Sequence, residues 1–315
     1  MKGFKLLTIS FLAAIIFCFY PIVVSAEMIA QQQQLERNGV QLYLMQYVDD
    51  STPPSGNILM AHGLTYSSHE FHVDYEDYSL VRFFVQNGYS VWLLDMTGYG
   101  NSGAPADNDG FVVDSDYAAE DIATAVALIR DTMKVEQVDI LGWSWGTVTG
   151  ARFAAKYPEW VHKLVLYGPI IKAFDGDGPE SAWHENSWEH AAGDFQMTED
   201  GQIDYEKVDK AIASIFLANC WRYDGEGSPN GGRRDLMQGQ KTVLFDTTKL
   251  TMPVMLVGGD IDPYLYWDAL EEGFNALPGK AQSKLVKIEG GSHILMLEKA
   301  HYQAFRAGIL DFLKN

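Results

Sequence analysis

The sequence predicts an α/β fold built on a mostly parallel, doubly wound sheet. Short runs rich in β-branched and aromatic residues alternate with longer segments of helical periodicity. Several of the short runs are apolar at consecutive positions, as expected for strands whose two faces are both covered by helices. Regular alternation of strand and helix indicates parallel strands joined by helical crossovers rather than a series of hairpins.

The elements can be assigned in order along the chain. Segment 41–48 predicts an antiparallel edge strand, while the glutamine run at 31–34 is expected to be a solvated lead-in. Hydrophobic periodicity predicts helices over 116–133, 145–158 and 302–315, the second of which should stop at its terminal proline. The strands of the parallel sheet are predicted at 57–62, 89–95, 138–143, 162–168, 253–259 and 283–290.

The alternation breaks between about 170 and 245. This stretch is rich in tryptophan, histidine, aspartate and glycine, and it contains helical patterns but no convincing parallel strand. We interpret it as a largely helical cap, inserted at 170–245 over the ends of the strands. The remaining ranges, 27–169 and 246–315, are then the α/β core.

The first 26 residues have the pattern of a secretory signal peptide. Lys2 and Lys5 precede a long apolar run, and small residues ending at Ala26 provide a cleavage site. The alternative is an uncleaved anchor helix, because the run approaches the roughly 20 residues that a membrane span needs. With cleavage, we expect a periplasmic or extracellular protein without a membrane span and with Cys220, a buried thiol, as its single cysteine.

The net charge argues against two kinds of partner. The 315-residue chain has a formal net charge of −19, and loss of two lysines with the signal peptide would make it −21. Such an acidic surface argues against binding to nucleic acid or to anionic membranes. The charge favours solubility and says little about the substrate. We expect a small-molecule substrate as the partner, and composition does not indicate an oligomeric state.

The motif "GWSWG" at 142–146 carries the strongest chemical signal. It fits the pattern G-x-S-x-G, follows a predicted strand and opens a predicted helix. In that context the chain turns sharply and lifts Ser144 above the sheet. Gly142 and Gly146 would then approach neighbouring backbone too closely for a side chain, while Trp143 and Trp145 would point aside and pack.

An acid and a histidine follow in the order that such a serine needs. A serine nucleophile requires a base, and the base requires an orienting acid. Asp262 comes directly after one predicted strand and His293 directly after the next. Parallel strands bring such residues to one edge of the sheet. Asp260 competes with Asp262 for the role of the acid.

These residues resemble the α/β-hydrolase superfamily over roughly 40–170 and 250–315. The resemblance rests on "HG" at 62–63, "DMTGYGNSG" at 95–103, "GWSWG", "GGDIDP" and "GGSH". It implies Ser144 as nucleophile, Asp262 as the acid and His293 as the base, without any cofactor.

The resemblance also implies an oxyanion hole formed by the backbone N–H groups of Leu64 and Trp145, with His62 as a structural partner of that loop. Serine at the nucleophile position argues against the aspartate-dependent haloalkane dehalogenases and epoxide hydrolases.

Several side chains are candidates for substrate contact. Glu185 or Glu189 could hold the free amine of a peptide, and Arg233 and Arg234 are expected to be solvated, with contact to a substrate carboxylate as the alternative. The spacing of His184 and His190 does not place both on one helix face, so no metal site is predicted. The aromatic candidates for an apolar pocket are Trp143, Trp183, Trp188 and Trp221, with simple packing as the alternative.

Together these features predict an exported serine hydrolase that cleaves a carboxylic ester through an acyl-enzyme. A proline iminopeptidase-like aminopeptidase is the alternative within the enzyme class. A hydrolase-fold protein that binds a ligand without turnover is the alternative outside it. Fold and triad do not distinguish these from C–C bond hydrolysis or lyase chemistry.

Overall fold

A computed structural model describes residues 28–225 and 227–315. An eight-stranded sheet runs through it in the order β1-β2-β4-β3-β5-β6-β9-β10, and every pairing from β4 to β10 is parallel. The predicted signal peptide lies outside the described residues. The strands of this sheet are β1 (Met28–Arg37), β2 (Val40–Asp49), β3 (Gly56–Ala61), β4 (Tyr89–Asp95), β5 (Val138–Trp143), β6 (Val161–Tyr167), β9 (Val254–Gly259) and β10 (Lys284–Ile288).

Helices cover both faces of the sheet. α1 (Leu80–Gln86) and α8 (Tyr302–Lys314) contribute to the core on one face, and α2 (Ser115–Met133), α3 (Trp145–Lys156) and α7 (Trp267–Asn275) contribute to the core on the other. Strands β4 and β5 are buried at every position, because both of their faces pack against helices. The predicted doubly wound α/β fold is thus confirmed.

The antiparallel edge differs from the prediction. The glutamines at 31–34 belong to β1, which pairs along its whole length with β2, so they are not a solvated lead-in. β2 also pairs with β4, which places it inside the sheet. The largely exposed side chains of β1 explain the error, because a strand at the rim needs no apolar pattern to be stable.

The stretch at 170–245 lies between β6 and β9, which are neighbours in the sheet. We call this stretch the inserted segment. Its own strands, β7 (Trp183–His184) and β8 (Ser228–Pro229), form a separate two-stranded antiparallel sheet. Its elements are β7 (Trp183–His184), α4 (Trp188–Ala192), α5 (Lys210–Asp224), β8 (Ser228–Pro229) and α6 (Gly231–Leu236).

Two further observations concern the cysteine and the possibility of a membrane span. Cys220 is a buried free thiol, as predicted, and burial raises its pKa well above the ordinary value. Within 28–225 and 227–315, no helix combines the length and the apolar character that a membrane crossing requires.

Candidate active site

Ser144 occupies a sharp turn between β5 and α3. Its backbone angles are φ 57° and ψ −122°, a region that residues other than glycine rarely adopt. Such a conformation costs on the order of 1–3 kcal/mol and persists only where the surroundings enforce it. Hydrogen bonds from Ser144 N–H to the Tyr167 carbonyl (2.9 Å) and from Thr147 N–H to the Ser144 carbonyl (2.9 Å) hold the turn.

The two flanking glycines are required by close backbone contacts. A Cβ atom on Gly142 would lie 2.2 Å from the carbonyl oxygen of Gly146. One on Gly146 would lie 2.1 Å from the carbonyl oxygen of Ala61, at the end of β3. Because both obstacles are backbone atoms, a side chain at either position would force the turn itself to move, as the motif predicts.

We expect Gly146→Ala to lower the free energy of unfolding by about 2–3 kcal/mol, because the added methyl group overlaps a backbone carbonyl. Gly150→Ala in the same helix is the matched control, since the nearest atom to its Cβ is Ile140 Cγ2 at 3.6 Å. That variant should gain up to about 1 kcal/mol from helix propensity. Urea denaturation measures both, and equal stabilities would show that the contact at Gly146 is not restrictive.

The two tryptophans brace the turn from opposite sides. Trp143 stacks on Tyr167, and its indole Nε1–H donates to the carbonyl of His293 at 3.1 Å. Trp145 is fully buried, and its indole Nε1–H donates to Ser115 Oγ at 2.9 Å. Each indole therefore packs beside the turn and fixes a second element against it.

Asp262 and His293 form a buried pair at the same edge of the sheet. Asp262 follows β9, His293 follows β10, and the His293 Nδ1 atom lies 2.7 Å from Asp262 Oδ2. Burial lowers the pKa of His293, but the charge and hydrogen bond of Asp262, together with the charge of Asp194, outweigh it, so the net pKa is raised. With the proton held on Nδ1 by the carboxylate, the Nε2 lone pair is available to accept a proton.

Ser144 and His293 line the same cavity, whose volume is about 440 Å³. Gly63 and Leu64 border it as well, and a Cβ atom on Gly63 would lie 3.6 Å from Ser144 Oγ. The loop after β3 therefore runs beside the serine. Trp145 is the first residue of α3, where backbone N–H groups have no intrahelical partner.

His62 supports this loop from behind. It is fully buried, and its Nε2 atom accepts a hydrogen bond from the Met96 N–H at 3.1 Å. Its Nδ1 atom therefore carries the proton and donates to the Gly63 carbonyl at 2.8 Å. Burial lowers its pKa to about 4, which keeps the ring neutral. These contacts agree with the structural part predicted for His62.

Three charged residues at the cavity were missed or misjudged from the sequence. Glu70 accepts a hydrogen bond from Gly63 N–H at 3.0 Å, and burial raises its pKa well above the ordinary value. Asp194 borders the cavity near His293, and burial raises its pKa to about 6. Arg233 also lines the cavity, so the expectation of a solvated side chain is wrong for Arg233 and holds only for its exposed neighbour, Arg234. A linear sequence carries no signal that these loops and short helices converge.

Most of the aromatic candidates lie elsewhere. Trp143 borders the cavity that contains Ser144, but Trp183 and Trp221 border a different one, and Trp188 is 46% exposed. The position of Trp183 has a clear cause, because its indole Nε1–H donates to the Asn108 carbonyl at 2.8 Å. The structure therefore does not bring these three tryptophans to the nucleophile.

The structure also shows where the remaining acidic and histidine candidates lie relative to the cavity. Glu185 and Glu189 are exposed and do not line the cavity. His184 and His190 do line it, with His184 Nε2 3.0 Å from His190 Nδ1, because they lie on β7 and α4 rather than on one helix. In the part of the chain that the structure describes, no three histidine, cysteine, aspartate or glutamate side chains cluster as metal ligands would.

Comparison with known proteins agrees with this architecture. Residues 56–300 match the family model described as alpha/beta hydrolase fold. The human serine hydrolase BPHL is 37% identical over 89 residues, which are 28% of this chain and 29% of that protein. A monoacylglycerol lipase from Mycolicibacterium smegmatis is 25% identical over 211 residues, 67% of this chain and 71% of the relative.

Solved structures show the same fold at low identity. The esterase EaEST from Exiguobacterium antarcticum superposes with a TM-score of 0.63 at 18% identity, covering 90% of this chain and 99% of the esterase. The family match spans most of the chain, including the turn at Ser144, Asp262 and His293. The chain therefore belongs to the alpha/beta hydrolase fold family.

Proposed function

We propose that the protein is a serine hydrolase that cleaves a carboxylic ester through an acyl-enzyme. One observation carries the proposal: the strained turn presents Ser144 to the same cavity as His293, whose Nδ1 is bonded to Asp262. A histidine held in this tautomer beside a serine is the arrangement that activates a hydroxyl group.

The reaction follows from these positions. His293 Nε2 takes the proton of Ser144 as the hydroxyl oxygen attacks the ester carbonyl carbon, and Asp262 stabilises the imidazolium that results. The N–H groups of Leu64 and Trp145 donate to the oxyanion, each contributing about 3 kcal/mol to transition-state stabilisation. The C–O bond to the alcohol then breaks as His293 protonates the leaving oxygen. Water, deprotonated by His293, repeats the attack and releases the acid and Ser144.

Two features favour an ester with an apolar part. Much of the cavity lining is apolar. It includes Leu64 of the core and, from the inserted segment, Ile170, Phe174, Leu236 and Met237. These contributions also support the interpretation of the inserted segment as a cap. The similar lipase and esterase act on esters by their names.

An aminopeptidase of the proline iminopeptidase type is the second candidate. The predicted amine-binding residues, Glu185 and Glu189, are exposed away from the cavity. Asp194 is the residue that favours this candidate, because it borders the cavity beside His293 and has no hydrogen-bond partner among the described residues. A proline iminopeptidase from Lactobacillus delbrueckii subsp. bulgaricus is 28% identical over 117 residues, 37% of its length.

A substrate panel separates the candidates. We expect p-nitrophenyl esters of four to eight carbons to be hydrolysed and prolyl-anilides to be inert, with kcat/KM as the measured quantity. Hydrolysis of the anilides alone would replace the esterase by the aminopeptidase. Inertness toward both groups would contradict each of the two functions.

We expect Asp194→Asn to move the acid limb of the kcat/KM–pH profile to lower pH. Asp262 and Asp194 both raise the pKa of His293, so removing one negative charge lets the imidazole stay neutral in more acidic solution. Burial raises the pKa of Asp194 to about 6, and the pKa of His293 lies above its ordinary value of 6.5. Asp194 is therefore ionised in the pH range in which His293 titrates.

Glu189→Gln, which changes an exposed carboxylate away from the cavity, is the control and should leave the limb in place. If the acid limb lies at the same pH in the wild type, Asp194→Asn and Glu189→Gln, Asp194 does not affect the pKa of His293.

Export of the protein is also proposed, on the strength of the signal-like N-terminus. We expect the intact mass of protein recovered outside the inner membrane to correspond to a chain beginning at Glu27. Recovery of the full-length chain in the membrane fraction would instead support an uncleaved anchor.

A further inference from the structure

Arg233 places a positive charge beside the nucleophile's cavity. It belongs to α6 of the inserted segment and lines the same cavity as Ser144 and His293. Burial lowers its pKa, although a guanidinium stays protonated throughout the physiological range. The protein therefore keeps a largely desolvated cation next to the place where the reaction occurs.

In the part of the chain that the structure describes, the acceptors bonded to this guanidinium are all neutral. Nη1 donates to Ser228 Oγ at 3.1 Å, to the Pro229 carbonyl at 3.4 Å and to Asn230 Oδ1 at 3.3 Å. Nη2 donates to Thr65 Oγ1. Among the residues that the structure describes, no acceptor is bonded to Nε, which leaves at least this N–H group available.

Other arginines that are largely buried are paired with acids. Arg37 lies 2.6 Å from Asp121, and Arg306 lies 2.6 Å from Asp77. In 28–225 and 227–315, no carboxylate oxygen comes within 4.0 Å of Arg233, although acids outnumber lysine and arginine by 42 to 23 in the chain. Because a buried charge is costly unless it is paired, the exception at the cavity indicates that an anion completes the site.

The surroundings of Arg233 are rich in donors as well. His184 lines the cavity, and burial together with the charge of Arg233 lowers its pKa to about 4. His184 shares a hydrogen bond with His190, so a proton can be offered from this pair to a nearby acceptor. A carboxylate bound here would meet a guanidinium and an imidazole N–H group, both of which suit it.

We propose that Arg233 binds a carboxylate of the substrate, so that the preferred esters are half-esters of dicarboxylic acids or related acyl compounds with a free carboxylate. The charged end lies at Arg233, the ester carbonyl lies at Ser144, and the apolar lining accommodates the carbon chain between them. The inference rests on the proposed esterase function and names its substrate class.

The alternative to carboxylate binding is a purely structural role for Arg233, and the experiment must distinguish the two. Its contact with Thr65 Oγ1 ties α6 to the loop after Leu64, and Thr65 itself has a φ of 80°. Loss of that tie would disturb the oxyanion loop and slow every substrate equally. Loss of a carboxylate partner would slow only the anionic ones.

The experiment compares anionic with neutral esters of equal length. 4-Nitrophenyl hydrogen adipate and suberate are paired with the hexanoate and octanoate, and the ratio of kcat/KM within each pair is measured. We expect the wild type to favour the anionic ester and Arg233→Gln to reduce the ratio about 10- to 100-fold. Arg234→Gln, at an exposed neighbour, and Thr65→Val, which removes only the tie to the loop, should both leave the ratio unchanged.

A binding measurement keeps the inference independent of turnover. In Ser144→Ala, calorimetry should show tighter binding of monomethyl adipate than of dimethyl adipate, and adding Arg233→Gln should abolish the difference. Should the wild type hydrolyse no ester, the proposed function fails while this measurement still decides the role of Arg233. An unchanged ratio in Arg233→Gln, or equal binding of the two adipates, would overturn the inference. Should Arg233→Gln not fold, Arg233→Lys, which keeps the charge without the forked donor geometry, takes its place and should show a smaller loss in the same direction.

Discussion

Replacing Ser144 by alanine should reduce kcat/KM for the best p-nitrophenyl ester by about 10⁴- to 10⁶-fold, because acyl transfer then has no nucleophile and only residual binding effects remain. The turn should survive the change, since its hydrogen bonds use the backbone of Ser144 and not its hydroxyl group. Stability measured by urea denaturation should therefore stay near that of the wild type. The expected loss of activity therefore comes from the missing nucleophile and not from unfolding.

Covalent labelling is a second test of Ser144 as the nucleophile. A fluorophosphonate probe should modify the wild type on the peptide that contains Ser144 and should not modify Ser144→Ala. Ser214→Ala is the control, because that serine is exposed on α5 and its hydroxyl donates to the Lys210 carbonyl of the same helix. A folded wild type that resists the probe and hydrolyses nothing would favour a ligand-binding protein instead. Labelling that persists in Ser144→Ala would place the nucleophile elsewhere.

The features recovered from the sequence are those with a local physical cause. Strands β4 and β5 are apolar at consecutive positions because helices cover both of their faces. Gly142 and Gly146 are visible as a motif because a Cβ atom at either would overlap backbone. Asp262 and His293 could be expected near one another because each follows a strand of the same parallel sheet.

The features that were missed depend on contacts between distant segments. β1 has polar, largely exposed side chains, and only its pairing with β2 makes it a strand. Trp183 points to Asn108 because of a loop that no periodicity describes. The burial of Arg233 follows from contacts with Thr65 and with residues of β8, and a charged residue in a glycine-rich stretch gives no indication of it.

The inserted segment is where sequence reasoning has least to rely on, and we propose that it determines substrate specificity. The core contributes Ser144, Asp262 and His293. Each of them follows shortly after a strand of the sheet, so the sequence alone identifies them as candidates. Asp194 and Arg233 reach the same cavity from the inserted segment and differ in charge. The core residues identify the family, but the fold and these residues alone do not determine the substrate.

Asp262→Asn should reduce kcat by about 10³- to 10⁴-fold with little effect on folding. In the wild type, the Asp262 carboxylate accepts the Nδ1–H of His293 at 2.7 Å. The Nε2 atom of His293 is therefore left without a proton. An asparagine that presents its NH₂ group to Nδ1 would favour the opposite tautomer, in which Nε2 carries the proton and cannot take one from Ser144. The loss should appear in kcat, because the imidazolium forms only during the reaction.

Asp260→Asn is the matched control, two residues earlier in the same loop. Asp260 is exposed, and its Oδ1 accepts a hydrogen bond from Gly290 N–H at 2.7 Å, which an asparagine oxygen can also accept. Its activity should fall less than about 10-fold, since surface substitutions of this kind rarely cost much. A larger loss in Asp260→Asn than in Asp262→Asn would assign the acid to the other aspartate. Because both variants change one carboxylate to an amide at nearly the same place, the difference between them isolates the bond to His293.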